Sequence, residues 1–350
     1  MQDHTPLFHP GFTAVRAGLD TRFDPSAGGR TMTRVIGPLS SLVPLRTKTI
    51  EHYPDLAPLR AAVRRSDWAA VSAHFGGFPA RADRSTAVRV VAETAGSERF
   101  LQRVVDTQRD SSLARTLLGA RFIVTAWDAR GATRAKYVKG DQWRVFHDHL
   151  RRADGLLADA TAIDPFNAAA WSERVTAARG LSLGQDEGRR RYERAAELCD
   201  APYGAQRQLL QTLCPKWGGS VDAVLAFARE CAESAKPGEL GAANVAAAHA
   251  EIALDDDDAG VARHLTVPQV REEVAAAAAR SVLHPDFRPV HGWLGAHSVF
   301  AFDLFHAAAP DSAAVHFAAM GNRVNSYPWD AQSGLWKSDF RQARRAVGVR

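Results

Sequence analysis

The sequence has little cysteine, and what it has forms no pattern. Cys199, Cys214 and Cys231 are odd in number, and their spacing fits neither a zinc site nor a redox pair. Free thiols in a reducing compartment are the expectation. No apolar run approaches the roughly 18 residues that a membrane-spanning helix needs. The opening stretch, MQDHTPLFHPGFTAVRAGLD, has no basic region followed by an apolar core, so it does not read as a secretory signal. Together these features lead to the expectation of a cytoplasmic protein with no membrane partner. Strand-like stretches are nearly absent. No GxSxG, P-loop or GxGxxG follows a strand, which excludes a doubly wound nucleotide-binding fold.

What is present is helix-forming. The chain has 350 residues, enough for one elongated domain or two or three compact ones, and 46% of them are apolar. Alanine dominates the apolar set and β-branched residues are sparse, which favours helix. Charge is uneven: residues 1–150 carry 22 Lys and Arg against 14 Asp and Glu, whereas residues 151–300 carry 16 against 21. No nucleic-acid-binding motif accompanies the basic half, so it reads as a solvated surface rather than a nucleic-acid site.

Residues 1–50 lack sustained periodicity and read as an irregular arm, with Met32 as an alternative start and residues 1–31 expected to be dispensable for folding. Residues 51–330 read as a helical repeat domain. PDLAPLRAAVRRSDWAAVSAHFGG predicts two short helices broken at Ser66 and stopped at Gly76-Gly77. DRSTAVRVVAETAGSERFLQRVVDTQ predicts a pair hinged at Gly96, and DSSLARTLLGARFIVTAWDARG a longer helix ending at Gly131. ATRAKYVKGD follows as a loop. Trp143, Phe146, Leu150, Ala153, Leu157 and Ala160 then step by three and four residues, a stripe that must pack on a neighbouring helix. Asp164-Pro165 ends it, because the residue before proline avoids the helical region. Residues 331–350 form a basic tail or a capping helix.

Pro165, Pro202 and Pro237 are separated by 37 and 35 residues, and each interval holds two helical patterns. A period near 34 with two helices per unit is the signature of a tetratricopeptide-like alpha-solenoid. Such helix pairs stack because neither can bury its apolar face alone. The expected fold is therefore all-α, with stacked antiparallel helix pairs. The stretch GLLADATAIDPFNAAAW (155–171) resembles the tetratricopeptide junction: Asp164, Pro165 and Asn167 are followed by Ala170 and Trp171 in the next helix. The strings AWDARG (126–131), QWRVFHDHL (142–150), AIDP (162–165), CPKWGGS (214–220) and HFAAMGNRVNSYPW (316–329) together resemble the bacterial domain of unknown function 4034 family. That resemblance implies a helical repeat fold over roughly residues 55–330 and no known activity.

Each candidate site also has an ordinary structural role. His147 and His149 stand at i,i+2 and point to different sides of a helix, whereas two helical metal ligands need i,i+3 or i,i+4. His284, His291, His297, His306 and His316 lack any ligand spacing and read as surface or hydrogen-bonded core residues. Asp255–Asp258 lacks the alternation and closing glutamate of a calcium loop and reads as a solvated loop. No catalytic set, metal or cofactor is implied. Trp127, Arg130 and Trp143 are anchor-type residues for binding, and equally suited to packing between helices. Lys216 and Trp217 lie in CPKWGGSVDAVLAFARE, which reads as a joint. Pro215 ends one helix, Gly218 and Gly219 supply positive φ, Ser220 caps the next, and Val221, Val224, Leu225 and Ala228 form its apolar face. Trp217 is expected to wedge between the two helices, and Lys216 to have no structural task. The anion site that Lys216 and free amides could form is the competing reading. The leading functional expectation is a scaffold that binds a protein or peptide partner. The alternative is a helical enzyme or small-molecule sensor with a pocket between helices.

Overall fold

Helix accounts for the regular structure throughout the computed structural model, which describes residues 44–131, 138–255 and 258–349. The expected irregular arm falls mostly in residues 1–43, outside the described residues, as do most of the loop ATRAKYVKGD and Asp256 and Asp257 of the acidic run. Among the described residues there is no strand; one isolated parallel bridge joins Arg46 to Arg323. No described helix is long and apolar enough to cross a membrane.

The first five helices are short: α1 (Thr49–His52), α2 (Ala57–Arg64), α3 (Trp68–Gly76), α4 (Ser85–Ala92) and α5 (Glu98–Thr107). Their boundaries follow the local signals. Ser66, at the break between α2 and α3, has φ +56°, and Gly96, between α4 and α5, has φ +80°. Two long helices follow, α6 (Ser112–Arg130) and α7 (Gly140–Ile163), which lie along each other. Gly119 lets them approach: a Cβ there would stand 2.8 Å from Leu157 Cγ. Phe146, Leu150, Ala153, Leu157 and Ala160 are buried in this contact as the stripe predicts, while Trp143 at its start is half-buried.

Next come α8 (Ala168–Gly180), α9 (Gln185–Glu197), α10 (Tyr203–Leu213) and α11 (Val221–Ser234), each packed on its neighbours. Asn167 fixes the entry to α8. Its side chain accepts a hydrogen bond from the Ala170 amide at 3.0 Å, and its Nδ2 donates to Ser112 Oγ and Thr116 Oγ1 on α6. The capping residue thus also ties α8 to an earlier helix. The chain continues through α12 (Ala243–Asp255), α13 (Asp258–Leu265), α14 (Pro268–Arg280), α15 (Trp293–His306) and α16 (Pro310–Met320). It closes with α17 (Trp329–Gln332) and α18 (Trp336–Ala346). Helix α13 is a correction, since the sequence reading passed over it. Asp258, at the end of the acidic run, is its first residue rather than part of a loop. Helix α18 buries Phe340 against Phe317 and Trp329, with ring centroids 5.3 and 5.4 Å away.

Two apolar clusters form the core, one from Tyr53 to Ala177 and one from Trp171 to Ala343, and Trp293 packs against both. Polar contacts also join early helices to late ones. The Gly292 amide donates to the Tyr53 hydroxyl at 2.9 Å, and the Gly204 amide to Asp83 Oδ2 at 2.7 Å. His291 Nε2 lies 2.8 Å from Asp55 Oδ2. Arg46 exchanges backbone hydrogen bonds with Asn322 and Val324. Such long-range ties add to the packing of each helix on its neighbours.

Candidate functional site: a tryptophan–arginine seam over a buried carboxylate

The turn after α10 positions two of the predicted residues. Pro215 starts a single 3-10 turn, Pro215–Trp217, because it cannot extend an α-helix. Gly218 then adopts the left-handed conformation, φ +86°. Gly219 serves a different purpose from the one expected of it. Its φ is not positive; a Cβ at that position would overlap the carbonyl of Leu213. Ser220 accepts a hydrogen bond from the Ala223 amide at 3.0 Å and caps α11. The buried face of α11 is Val224, Phe227, Ala228 and Cys231. Val221, expected inside, is exposed, because it sits on the first turn beyond the edge of the contact.

This turn holds Trp217 edge-on against Trp127, in the last turn of α6, with ring centroids 5.8 Å apart. Arg130, at the end of α6, places its guanidinium 5.7 Å from the Trp127 ring and 5.6 Å from Trp143, in the first turn of α7. Phe146 forms the floor, 4.9 Å from Trp127 and 5.5 Å from Trp143. His147 stacks on the outer side of Trp143 at 5.5 Å. Four of the five predicted residues, Trp127, Arg130, Trp143 and Trp217, therefore meet in one seam built from three elements, whereas the Lys216 side chain pairs with Glu251 instead. All three tryptophans are half-buried. Cation–π contacts of this kind contribute about 0.5–2 kcal/mol, more as they are desolvated.

Arg179, at the end of α8, belongs to the seam and was missed. Its guanidinium lies 5.6 Å from Trp127 and 5.7 Å from Trp217, and donates to the Gln208 carbonyl and side chain at 3.0 and 3.1 Å. Burial pulls its pKa down to about 10, so it stays charged at neutral pH. Nothing in the local text marks it, because its partners are 52 residues away on one side and 29 and 38 on the other.

Below the seam the side chains turn acidic and basic in alternation. Lys216 Nζ lies 2.5 Å from Glu251 Oε2 on α12, and the Glu251 carboxylate also accepts from Gln211 on α10. Lys216 thus has a structural task, contrary to the expectation. Glu251 is buried. Burial alone would push its pKa up, but Lys216, Tyr327 and Arg207 together outweigh it and hold the group below its usual range. Arg207 on α10 places its guanidinium 5.3 Å from the Tyr327 ring. Asp303 on α15 stands in the opposite condition. Burial raises its pKa well above the usual carboxylate range, with Arg207 only partly opposing. Among the described residues both Asp303 carboxyl oxygens are buried without a hydrogen-bond partner. Cys214 is buried beside this group, and burial pushes its thiol up to about 12, which makes it an inert thiol.

The other predicted positions disperse. His149 Nδ1 pairs with the Val145 carbonyl at 2.9 Å, on a different side from His147. His297 and His316 are buried with their Nδ1 atoms 2.9 Å apart, and His306 packs on Phe302. A second histidine pair escaped the sequence reading: His249 on α12 lies 3.0 Å from His264 and 3.1 Å from Glu273, which also binds Arg229. Among the described residues no group of three or more His, Cys, Asp or Glu side chains could hold a metal ion.

Comparison with protein-family models, with curated proteins and with solved structures finds no match for this chain, so the site is read from its own geometry.

Proposed function

We propose that the protein is a tetratricopeptide-like alpha-solenoid that binds a protein or peptide segment, with the tryptophan–arginine seam as its docking point. The observation that carries this reading is the convergence of three half-buried tryptophans with Arg130 and Arg179. Tryptophan and arginine at the centre of a contact supply most of the binding energy in many interfaces. Successive packing of α8 to α11 and the recurring prolines support the repeat architecture. Membership of the domain of unknown function 4034 family belongs to the same proposal and rests on the sequence strings. The partner segment would be apolar with flanking carboxylates, because Arg130 and Arg179 are positive while the charge of Glu251 is balanced by Lys216. Peptide display on the intact protein, counter-selected on an Arg130→Glu variant, tests this. Acidic, aromatic-containing peptides that quench tryptophan fluorescence and lose at least tenfold in affinity on the variant are expected. Peptides that bind the variant equally would overturn the reading.

A second reading is a small-molecule site between helices, and the buried, unpartnered carboxyl oxygens of Asp303 favour it. A small carboxylate or amide that raises the melting temperature of the protein, and fails to do so for Arg207→Leu, would select it over the first.

A further inference from the structure

We infer a second binding site, for an organic phosphate of about nucleotide size, in the cleft between α5, α6 and α7. The cleft has a volume of about 400 Å³ and is lined by Glu98, Arg99, Gln102, Arg103, Phe122 and Arg152. Its origin is the two-sided pattern of α5. Phe100, Leu101, Val104 and Val105 face the core, which leaves positions 98, 99, 102 and 103 on the outer side.

The charges in this cleft are unbalanced. Glu98 is its sole carboxylate, and Arg121 occupies it from the interior side at 2.6 Å; Arg121 also donates to the Ala92 carbonyl. Arg99 and Arg103 stand one helical turn apart, both exposed, and among the described residues neither guanidinium has a hydrogen-bond or ion-pair partner. Like charges at i,i+4 destabilise a helix, so the pair is set against its own fold. Arg152 arrives from α7 and is held in place twice. Its Nη2 donates to Gln102 Oε1 at 2.8 Å, and its guanidinium carbon lies over the Phe122 ring, 4.3 Å from the centroid. Three guanidiniums thus face one open space, one of them fixed and two free.

Guanidinium groups match the geometry and charge of phosphate oxygens and bind them through paired N–H donors. A single inorganic phosphate fills a small part of 400 Å³, and that volume is in the range of pockets for small organic ligands. The outer face of the Arg152 guanidinium, braced by Phe122, offers a flat cationic plane on which a planar base can stack. The ligand class that uses all of these is a planar organic group carrying two or more phosphate charges.

Isothermal titration calorimetry on the full chain tests the inference, with ADP, pyrophosphate and adenosine as probes. ADP is expected to bind, with affinity falling steeply as salt rises, and adenosine not to bind. The exposed double variant Arg99→Gln, Arg103→Gln should weaken ADP at least tenfold while its circular dichroism melt stays that of the wild type. Arg152→Gln should also weaken it, whereas Arg115→Gln, outside the cleft, should not. Absence of ADP binding at millimolar concentration, or binding indifferent to the double variant, would overturn the site. Pyrophosphate binding as tightly as ADP would overturn the organic part of the assignment.

Discussion

Lys216 and Glu251 meet at 2.5 Å across 35 residues of sequence, the lysine part-exposed and the carboxylate buried. The pair converts a surface lysine into the counter-charge of an interior acid. Breaking such a pair from one side leaves a buried charge without compensation. Glu251 would keep Gln211 and the field of Arg207, so Lys216→Ala is expected to cost about 2 kcal/mol in urea unfolding, more than the small effect of an ordinary surface change. Adding Glu251→Gln to that variant should recover part of the loss. A neutral single variant would show that the pair contributes nothing.

Trp217 contacts Trp127 and Arg179 at once, yet it is half-buried rather than enclosed. Trp217→Ala is therefore expected to cost about 2–3 kcal/mol, at or below the lower end of the range for a fully buried aromatic. A double-mutant cycle with Trp127→Ala should return a coupling of roughly 0.5–1.5 kcal/mol, the usual value for an edge-to-face pair.

His297 and His316 give a pH dependence of definite sign. Burial pulls His297 down to about 4, and burial, aided by His297, pulls His316 down to about 3. In the unfolded chain both titrate near their ordinary value of about 6.5. Between these limits the unfolded state binds more protons, so stability falls as pH drops from about 6.5 toward 4. The loss should be on the order of 1–2 kcal/mol per histidine by pH 5. His297→Gln should flatten this limb of a stability–pH curve. An unchanged slope would remove the pair as its cause.

Asp303 has the opposite sign. Its folded pKa is raised well above that of the unfolded chain, so the stability it contributes is full below the ordinary carboxylate range and is lost progressively as pH rises from there up to the raised folded value. Asp303→Asn removes the need to keep a proton on a buried acid. It should increase stability at pH 7 by on the order of 1 kcal/mol, seen as a higher melting temperature, and leave stability at pH 3 nearly unchanged. A lower melting temperature at pH 7 would mean that the carboxyl group makes a favourable contact there.

The helices and their ends were legible in the text because they depend on neighbours within a few residues. Ser66, Gly96, Gly131 and Gly218 stop or turn the chain through their own backbone angles, and Asn167 and Ser220 cap through amides three residues on. The stripe from Phe146 to Ala160 follows from a period of 3.6 and needs no knowledge of its partner. The tryptophans and Arg130 were legible as anchor-type residues, since their chemistry is intrinsic. What they contact was not. Arg179 joins Trp127 and Trp217 only because α8 ends beside α6 and the turn after α10. Lys216 looked idle because Glu251 lies on another helix pair. Asp303 and Glu251 are each an acid on a helix in the sequence, and packing gave one a lysine and withheld it from the other. Local conformation is set by short-range sterics and hydrogen bonds, whereas burial, ion pairing and proton affinity depend on which distant surfaces meet, and that is a property of the packed helices.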